Sequence, residues 1–382
     1  MALGKKIALW AVVLLLLVVA AGIQAVVGWR ALVFGPTARA LTSRTFEATP
    51  ERLERGRYLA VARHGCVLCH SERDWNAPGA PPRADRLGGG VVWAAEGMPW
   101  LTAPNLTPDP ETGIGKTSDD AVARAIREGI GLDGRALFAL MPYQEYRRIP
   151  DEDLAAIVVY LRSLPPVKNA LPKSTPPFPL PLIMRGVPRP LAGPVAAPDL
   201  STPERRGEYV LRTAACHYCH TPMDAQGHFD MTLDMAGGNT FPSPQGTIAA
   251  TNLTVHPTGI ANYDEATFVM VMKTGKFGTL HAMMPWTAYS GMTDEDLKAI
   301  YAYLRTLKPV SHVVANGPNP TPGRLCGKAH GGGRKTDASG GRPDGRRGQR
   351  EGTTGTEPGK RTRPDGLSDW HSGGLSAPRA PR

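Results

Sequence analysis

The 382-residue sequence has only one long apolar run, and it lies at the very start. No second run of that length follows, so everything after it is expected on one side of a bilayer. Evenly spread charge is missing too. The net charge is +10, yet from Ser311 onward thirteen Lys or Arg face six Asp or Glu, which leaves residues 1–310 at +3. The basic excess therefore describes the tail, and no nucleic-acid partner is read from it. Nucleophilic triads, phosphate loops and paired carboxylates are absent, so no chemistry on a substrate is read and the chain is not taken for an enzyme. Cysteine is scarce: there are five, and four of them fall into two tight pairs.

Those pairs carry the chemistry. Cys66-Val67-Leu68-Cys69-His70 and Cys216-His217-Tyr218-Cys219-His220 each place two cysteines three apart with a histidine directly after. That spacing reads as covalent attachment of a c-type haem. The two thiols become thioethers to the porphyrin, and the histidine sits beneath the iron as proximal ligand. A redox-active thiol pair is one alternative. However, no alternating strand–helix pattern surrounds either copy, and such a pair gives His70 and His220 nothing to do. A single zinc site with four cysteine ligands is another. It requires stretches 150 positions apart to converge and again leaves the histidines unused. Two covalent haems are therefore expected, through Cys66, Cys69, Cys216 and Cys219. The fifth cysteine, Cys326, stands alone in Cys326-Gly327-Lys328-Ala329-His330. Its spacing is wrong for haem attachment, and it reads as an unused thiol.

The apolar run, Ile7 to Val27, follows Lys5 and Lys6. As a helix it spans about 32 Å, against a hydrocarbon core of roughly 30 Å. A signal-peptide core is usually about 7–15 residues long. Length therefore favours an uncleaved anchor over residues 1–38, while small residues around Ala21 and Ala25 leave cleavage open. In either case the lysines keep the N-terminus inside and send the rest across.

Arg39 to Pro50 reads as a polar spacer. Residues 51–167 and 201–311 then repeat one another in order. Each has an opening helix (Glu51 to Arg63 in the first, with Leu53, Tyr58, Leu59 and Val61 as its apolar face), followed by the haem motif. Next comes a loop-rich stretch containing Pro104-Asn105-Leu106-Thr107 or Thr251-Asn252-Leu253-Thr254. A short helix follows, Asp119 to Glu128 or Asp264 to Lys273, and then Met141-Pro142-Tyr143 or Met284-Pro285-Trp286. The closing helix bears Leu154, Ile157, Tyr160 and Leu161, or Leu297, Ile300, Tyr303 and Leu304, at helical spacing. Ser118 is the expected cap of the first short helix, and Thr293 with Asp296 forms a capping-box pattern. Between the units, residues 168–200 hold nine prolines, the composition of a semi-rigid spacer that keeps two domains apart. From Ser311 on, sixteen Gly and eight Pro accompany a single aromatic, Trp370. Residues 312–382 are expected to be disordered.

The sixth iron ligand has to be chosen among twelve methionines. Met141 and Met284 alone recur at equivalent places, 71 and 64 residues beyond their proximal histidines. A loop of that length can bring sulfur to the far face of the haem, whereas Met98-Pro99 has no counterpart in the second unit. The bland alternative is a pair of core methionines. His64 and His217 are read as packed or exposed beside the porphyrin, with no ligand role.

Taken together, two Cys-x-x-Cys-His units, each with a downstream Met-Pro and a closing Tyr-Leu-Arg helix, resemble tandem class I cytochromes c. With the N-terminal anchor, the chain resembles the membrane-bound dihaem cytochromes c of bacteria. Similar modules serve as cytochrome subunits of membrane-bound alcohol, aldehyde and nicotinate dehydrogenases, many of which carry three haem motifs where this chain has two. The resemblance implies an all-α fold of two cytochrome c domains on the periplasmic side of the cytoplasmic membrane. It also implies single-electron transfer from a dehydrogenase or quinol donor to a cytochrome or oxidase acceptor. The alternatives are a dihaem oxidoreductase, either a peroxidase or a thiosulfate-oxidising cytochrome, and a subunit that chiefly anchors a dehydrogenase. A methionine candidate in both units argues against the peroxidase, and the lack of a further cysteine in either unit argues against the thiosulfate enzyme.

Overall fold

The computed structural model describes residues 2–224, 228–243, 246–275, 283–314, 321–322 and 329–330. The chain divides into two compact units, 1–335 and 336–382. The second, with Cys326 and nearly all of the tail expected to be disordered, lies outside the described residues.

The N-terminal run forms α1 (Ala2–Val26), whose segment Gly4–Gly22 is long and apolar enough to cross a membrane and has no buried residue. A glycine break leads into the short α2 (Trp29–Phe34). The two repeats then open alike. Thr49-Pro50-Glu51-Arg52 starts α3 (Pro50–Arg57), which continues as a π-helix over Tyr58–Arg63, and α4 (Cys66–Cys69) carries the first haem motif. The Thr49 hydroxyl accepts from Arg52 N at 3.2 Å, and Thr202 does the same for Arg205 N at 3.3 Å in the second repeat. Proline at the first helical position gives up an N–H that would have had no helical partner. The first repeat continues with α5 (Asp119–Glu128), α6 (Tyr143–Tyr146) and α7 (Asp151–Ser163). Ser118 caps α5 as expected, accepting from Ala121 N at 3.2 Å, and Gly129 ends it in the left-handed region. After α8 (Leu180–Arg185) in the proline-rich stretch come α9 (Pro203–Thr213) and α10 (Cys216–His220), with the second motif. The second repeat closes with α11 (Glu265–Thr274), α12 (Trp286–Tyr289) and α13 (Asp294–Leu304). Thr293 caps α13 through Asp296 N at 3.2 Å.

The fold is helix-rich. Among the described residues, three short antiparallel strand pairs accompany the helices: β1 (Val91–Val92) with β2 (Thr102–Ala103), β3 (Thr240–Ser243) with β4 (Gly246–Ala249), and β5 (Thr321–Pro322) with β6 (Ala329–His330).

In each repeat the opening helix crosses the closing helix at a glycine. A Cβ placed on Gly56 would lie 1.9 Å from Ala156 O and 2.8 Å from Tyr160 Cβ; on Gly207 it would lie 1.9 Å from Ala299 O and 2.8 Å from Tyr303 Cβ. The same crossing is thus built twice, and only glycine permits it. Leu154, Ile157, Tyr160 and Leu161 are buried there, as are Leu297, Ile300 and Leu304, with Tyr303 half-buried.

One difference between the repeats is a single inserted residue. Gly56 to Cys66 is ten positions and Gly207 to Cys216 is nine. The extra residue is absorbed by the π-helix: His64 N bonds back five positions to Leu59 O, whereas Ala214 N bonds back four to Val210 O. The chain then reaches the first cysteine in the same way in both repeats, through Gly65 at φ 61° and Ala215 at φ 60°. The π-turn also changes which side chains face inward. Leu53, expected on the apolar face, is exposed, while Ala60 and Ala62 are buried.

The proline-rich stretch does not hold the repeats apart. Ala62 and Leu68 of the first repeat sit in the same apolar cluster as Leu211, Met292 and Leu297 of the second. Residues 168–200 instead lie along the first repeat. Thr175 N bonds Trp100 O at 2.8 Å, the Asn169 amide donates to Gly89 O at 2.9 Å, and Asp151 N bonds Val195 O at 3.1 Å. Nor is Arg39 to Pro50 a free spacer. Arg39 forms a two-pronged ion pair with Asp120 (2.7 and 2.8 Å), and Phe46 N donates to Asp119 at 2.9 Å. The composition of these segments could not report that their backbone groups find partners on a neighbour.

Candidate functional site

α4 turns the first motif into the wall of a cavity of about 730 Å³, lined by Cys66, Cys69, His70, Ile126, Met141 and Tyr146 among others. That volume lies within the roughly 300–1,000 Å³ range of cofactor pockets. Met98 is not among the lining residues. Met141 also packs partly buried against the first core, and Met284 does the same against the second.

The histidines are oriented from behind. His70 Nδ1 lies 2.8 Å from Pro104 O, and His220 Nδ1 lies 2.7 Å from Thr251 O. A carbonyl only accepts, so each Nδ1 carries the proton and each Nε2 keeps its lone pair. Burial also pushes both imidazoles below the usual histidine range, which favours the neutral ligand form.

The carbonyls are fixed by the Asn-Leu-Thr repeat. Asn105 donates to Val167 O at 2.6 Å and accepts from Thr107 N at 2.9 Å; Asn252 donates to Val310 O at 2.8 Å and accepts from Thr254 N at 2.9 Å. Thr107 Oγ1 then accepts from Val167 N at 3.0 Å, and Thr254 Oγ1 from Val310 N at 3.1 Å. The strand of chain after each closing helix is thereby tied to the loop that backs each histidine. The sequence showed that this motif recurs but gave no sign of its task.

Among the described residues, no three His, Cys, Asp or Glu side chains gather as a metal cluster, so the cysteines do not converge as a four-thiolate zinc site would require. Desolvation raises the half-buried Cys66, Cys216 and Cys219 thiols to about 12, the opposite of an activated redox thiol. Two thiols beside an apolar cavity, with an imidazole whose lone pair is free of protein hydrogen bonds, fit a covalently held haem c.

Sequence reasoning missed the surface joining the repeats. His64 is buried and its Nδ1 lies 2.8 Å from Thr213 O, three positions before Cys216. Its Nε2 has no partner, and burial with the neighbouring Arg63 charge lowers its pKa to about 3. Arg63 stacks over the Tyr209 ring at 4.7 Å and lies 3.9 Å from Asp296, which also accepts from Tyr58 OH at 2.5 Å. His217 Nε2 is 3.4 Å from Glu145 Oε1 of α6. Both histidines read as bystanders are thus contacts between the repeats. The π-turn that places Arg63 and His64 was legible only as a one-residue length difference.

This arrangement, thioether-capable cysteines and a carbonyl-backed histidine in a helix-rich frame, is what a c-type haem site requires. Residues 202–304 match the family described as cytochrome C oxidase, cbb3-type, subunit III. The chain is 31% identical over 305 residues to the cytochrome c subunit of a quinone alcohol dehydrogenase from Gluconacetobacter polyoxogenes, covering 74% of this chain and 62% of that one. It is 29% identical to the fructose dehydrogenase cytochrome subunit of Gluconobacter japonicus, over 72% of this chain and 57% of that one. It is 28% identical to a dihaem cytochrome c-type protein of Cereibacter sphaeroides, over 64% of this chain and 83% of that one. The chain therefore carries a cbb3-type cytochrome c domain and is a homologue of the cytochrome c subunits of membrane-bound dehydrogenases. It spans about three fifths of the length of the alcohol dehydrogenase relatives it matches.

Proposed function

We propose that this chain is a two-haem electron carrier and not itself a catalyst, held at the cytoplasmic membrane by α1 with both repeats on the periplasmic side. In this reading the repeats are tandem cytochrome c domains. Cys66 and Cys69 hold one haem, Cys216 and Cys219 the other. His70 and His220 would bind the irons through Nε2, and Met141 and Met284 would each supply a sulfur ligand. The haem supplies one-electron redox chemistry, and its axial ligands bias the potential.

The chain's own residues do the rest. The Pro104 and Thr251 carbonyls keep each imidazole neutral and oriented, and their hydrogen bonds make it more basic. Ile126, Ile157 and Leu161 line the first cavity with apolar surface and restrict water there. The buried contacts of Arg63 and His64 keep the two repeats in one fixed arrangement, so the two motifs keep one separation. The observation that carries the reading is the twin histidine–carbonyl geometry. The donor is a dehydrogenase or a quinol, and the acceptor a respiratory cytochrome or oxidase. The dehydrogenase relatives favour a place as the cytochrome subunit of such a complex.

The test is to denature purified chain, extract it with acid acetone and count the haem that stays attached. Two per chain is expected, and zinc without covalent haem refutes the reading. Met141→Ala and Met284→Ala should each remove part of the weak near-infrared band of methionine-ligated ferric haem. Loss with Met98→Ala while Met141→Ala changes nothing would reassign the first ligand.

A further inference from the structure

The four most exposed large apolar side chains outside α1, among the described residues, are Phe178 (82%), Phe34 (73%), Val33 (65%) and Trp29 (62%). They are drawn from parts of the chain some 150 positions apart, yet three lie in α2 and Phe178 lies just ahead of α8, a helix that touches α2. Arg185 at the end of α8 donates to Leu32 O in α2 at 3.0 Å, and Phe178 lies two residues ahead of α8. The inward sides of these helices have a task already. Pro36, just past α2, and Pro181 and Met184 of α8 line the cavity that holds Cys66, Cys69 and His70. The outward sides have none. Exposed apolar patches of this kind mark an interaction surface. Arg30 and Arg189, both exposed, flank it in sequence.

We infer that the outer face of α2 and α8 is a bilayer-contact foot, seated in the headgroup region of anionic phospholipid. Continuity argues for the occupant. α1 ends at Val26 and α2 begins at Trp29, so an anchor in the bilayer brings α2 to its surface. The contact with α2 then carries α8 and Phe178 there as well. Aromatic side chains favour the membrane–water interface, and arginines favour anionic headgroups. The proline-rich stretch is thus a second attachment, and it sets the mouth of the first cavity at the membrane surface. A single tether would leave the repeats free to swivel.

The inference rests on α1 being an uncleaved anchor, and the experiment separates the two. Full-length chain with Cys326→Ser is reconstituted into phosphatidylcholine–phosphatidylglycerol vesicles containing no other protein. Nitroxide is attached at Phe178→Cys, at Trp29→Cys or, as an exposed control, at Lys308→Cys. Collision rates with oxygen and with a water-soluble nickel chelate report depth. Phe178→Cys should show an oxygen-to-nickel ratio several-fold above Lys308→Cys and close to Trp29→Cys. A buried Trp29→Cys label with Phe178→Cys as wet as the control refutes the foot while leaving the anchor intact. Chain that leaves the vesicles without detergent refutes the anchor. A second measurement inserts a protease site between α1 and α2. After cleavage the chain should stay with the vesicles, and Phe178→Asp with Ile183→Asp should release it. Release of the cleaved parent also refutes the foot.

Discussion

Replacing Asn105 with Ala tests the proposed link between the Asn-Leu-Thr loop and a haem iron bound by His70. The Asn105 amide donates to Val167 O at 2.6 Å and Thr112 Oγ1 at 3.1 Å, and accepts from Thr107 N at 2.9 Å. Alanine leaves Val167 O and Thr107 N, at a site where Asn105 is 3% exposed, without those partners. An unsatisfied buried group costs about 1–3 kcal/mol, so the loss for the two is roughly 2–6 kcal/mol. The loop is then free to shift, and with it the Pro104 carbonyl that accepts from His70 Nδ1. A weaker bond at Nδ1 makes the imidazole a poorer donor. Ferric iron loses more from that than ferrous, so the potential of the first haem should rise. Asn252→Ala should do the same to the second haem, because its bonds to Val310 O (2.8 Å) and Thr254 N (2.9 Å) repeat the geometry. The assay pairs denaturant unfolding of the haem-loaded protein with a redox titration. Loss of stability with both potentials unchanged would refute the claim that this loop acts on the iron through the histidine.

Gly56→Ala should destabilise the first repeat by about 1–3 kcal/mol or more, despite alanine's better helix propensity, because its Cβ meets Ala156 O at 1.9 Å. Gly193→Ala, which meets nothing within 4 Å, should be silent in the same thermal melts. His64→Ala removes the bond to Thr213 O and should alter the spectrum of the second haem as well as the first; a change confined to the first would show the repeats to be uncoupled. Arg39 holds the Asp120 carboxyl down to about 2, below its ordinary value near 3.8. The unfolded chain therefore takes up this proton first. The pair's stabilisation, about 2 kcal/mol, is complete above pH 5 and disappears as pH falls towards 2. Asp120→Asn should flatten that part of the stability-versus-pH curve, and an unchanged slope would remove the pair from the account.

Local chemistry made much of this protein readable from its sequence. The two haem motifs need their residues adjacent in the chain, so spacing alone exposes them. Ser118 and Thr293 cap helices through bonds three positions long, and the buried positions of the closing helices follow from periodicity. The repeat also singled out Met141, which the structure places on the wall of the first cavity. What the tertiary structure decided is everything that depends on partners distant in sequence. Proline-rich segments look alike whether extended in solvent or laid on a neighbour, because composition does not say where Asn169 or Thr175 will bond. His64 looks like a bystander until the π-turn points it at Thr213, 149 positions away. Asn105 and Asn252 look like ordinary loop residues until their amides are seen to hold the chain behind each histidine. The motif's chemistry is fixed within five consecutive residues, while the orientation and burial that tune it come from contacts that only the folded chain creates.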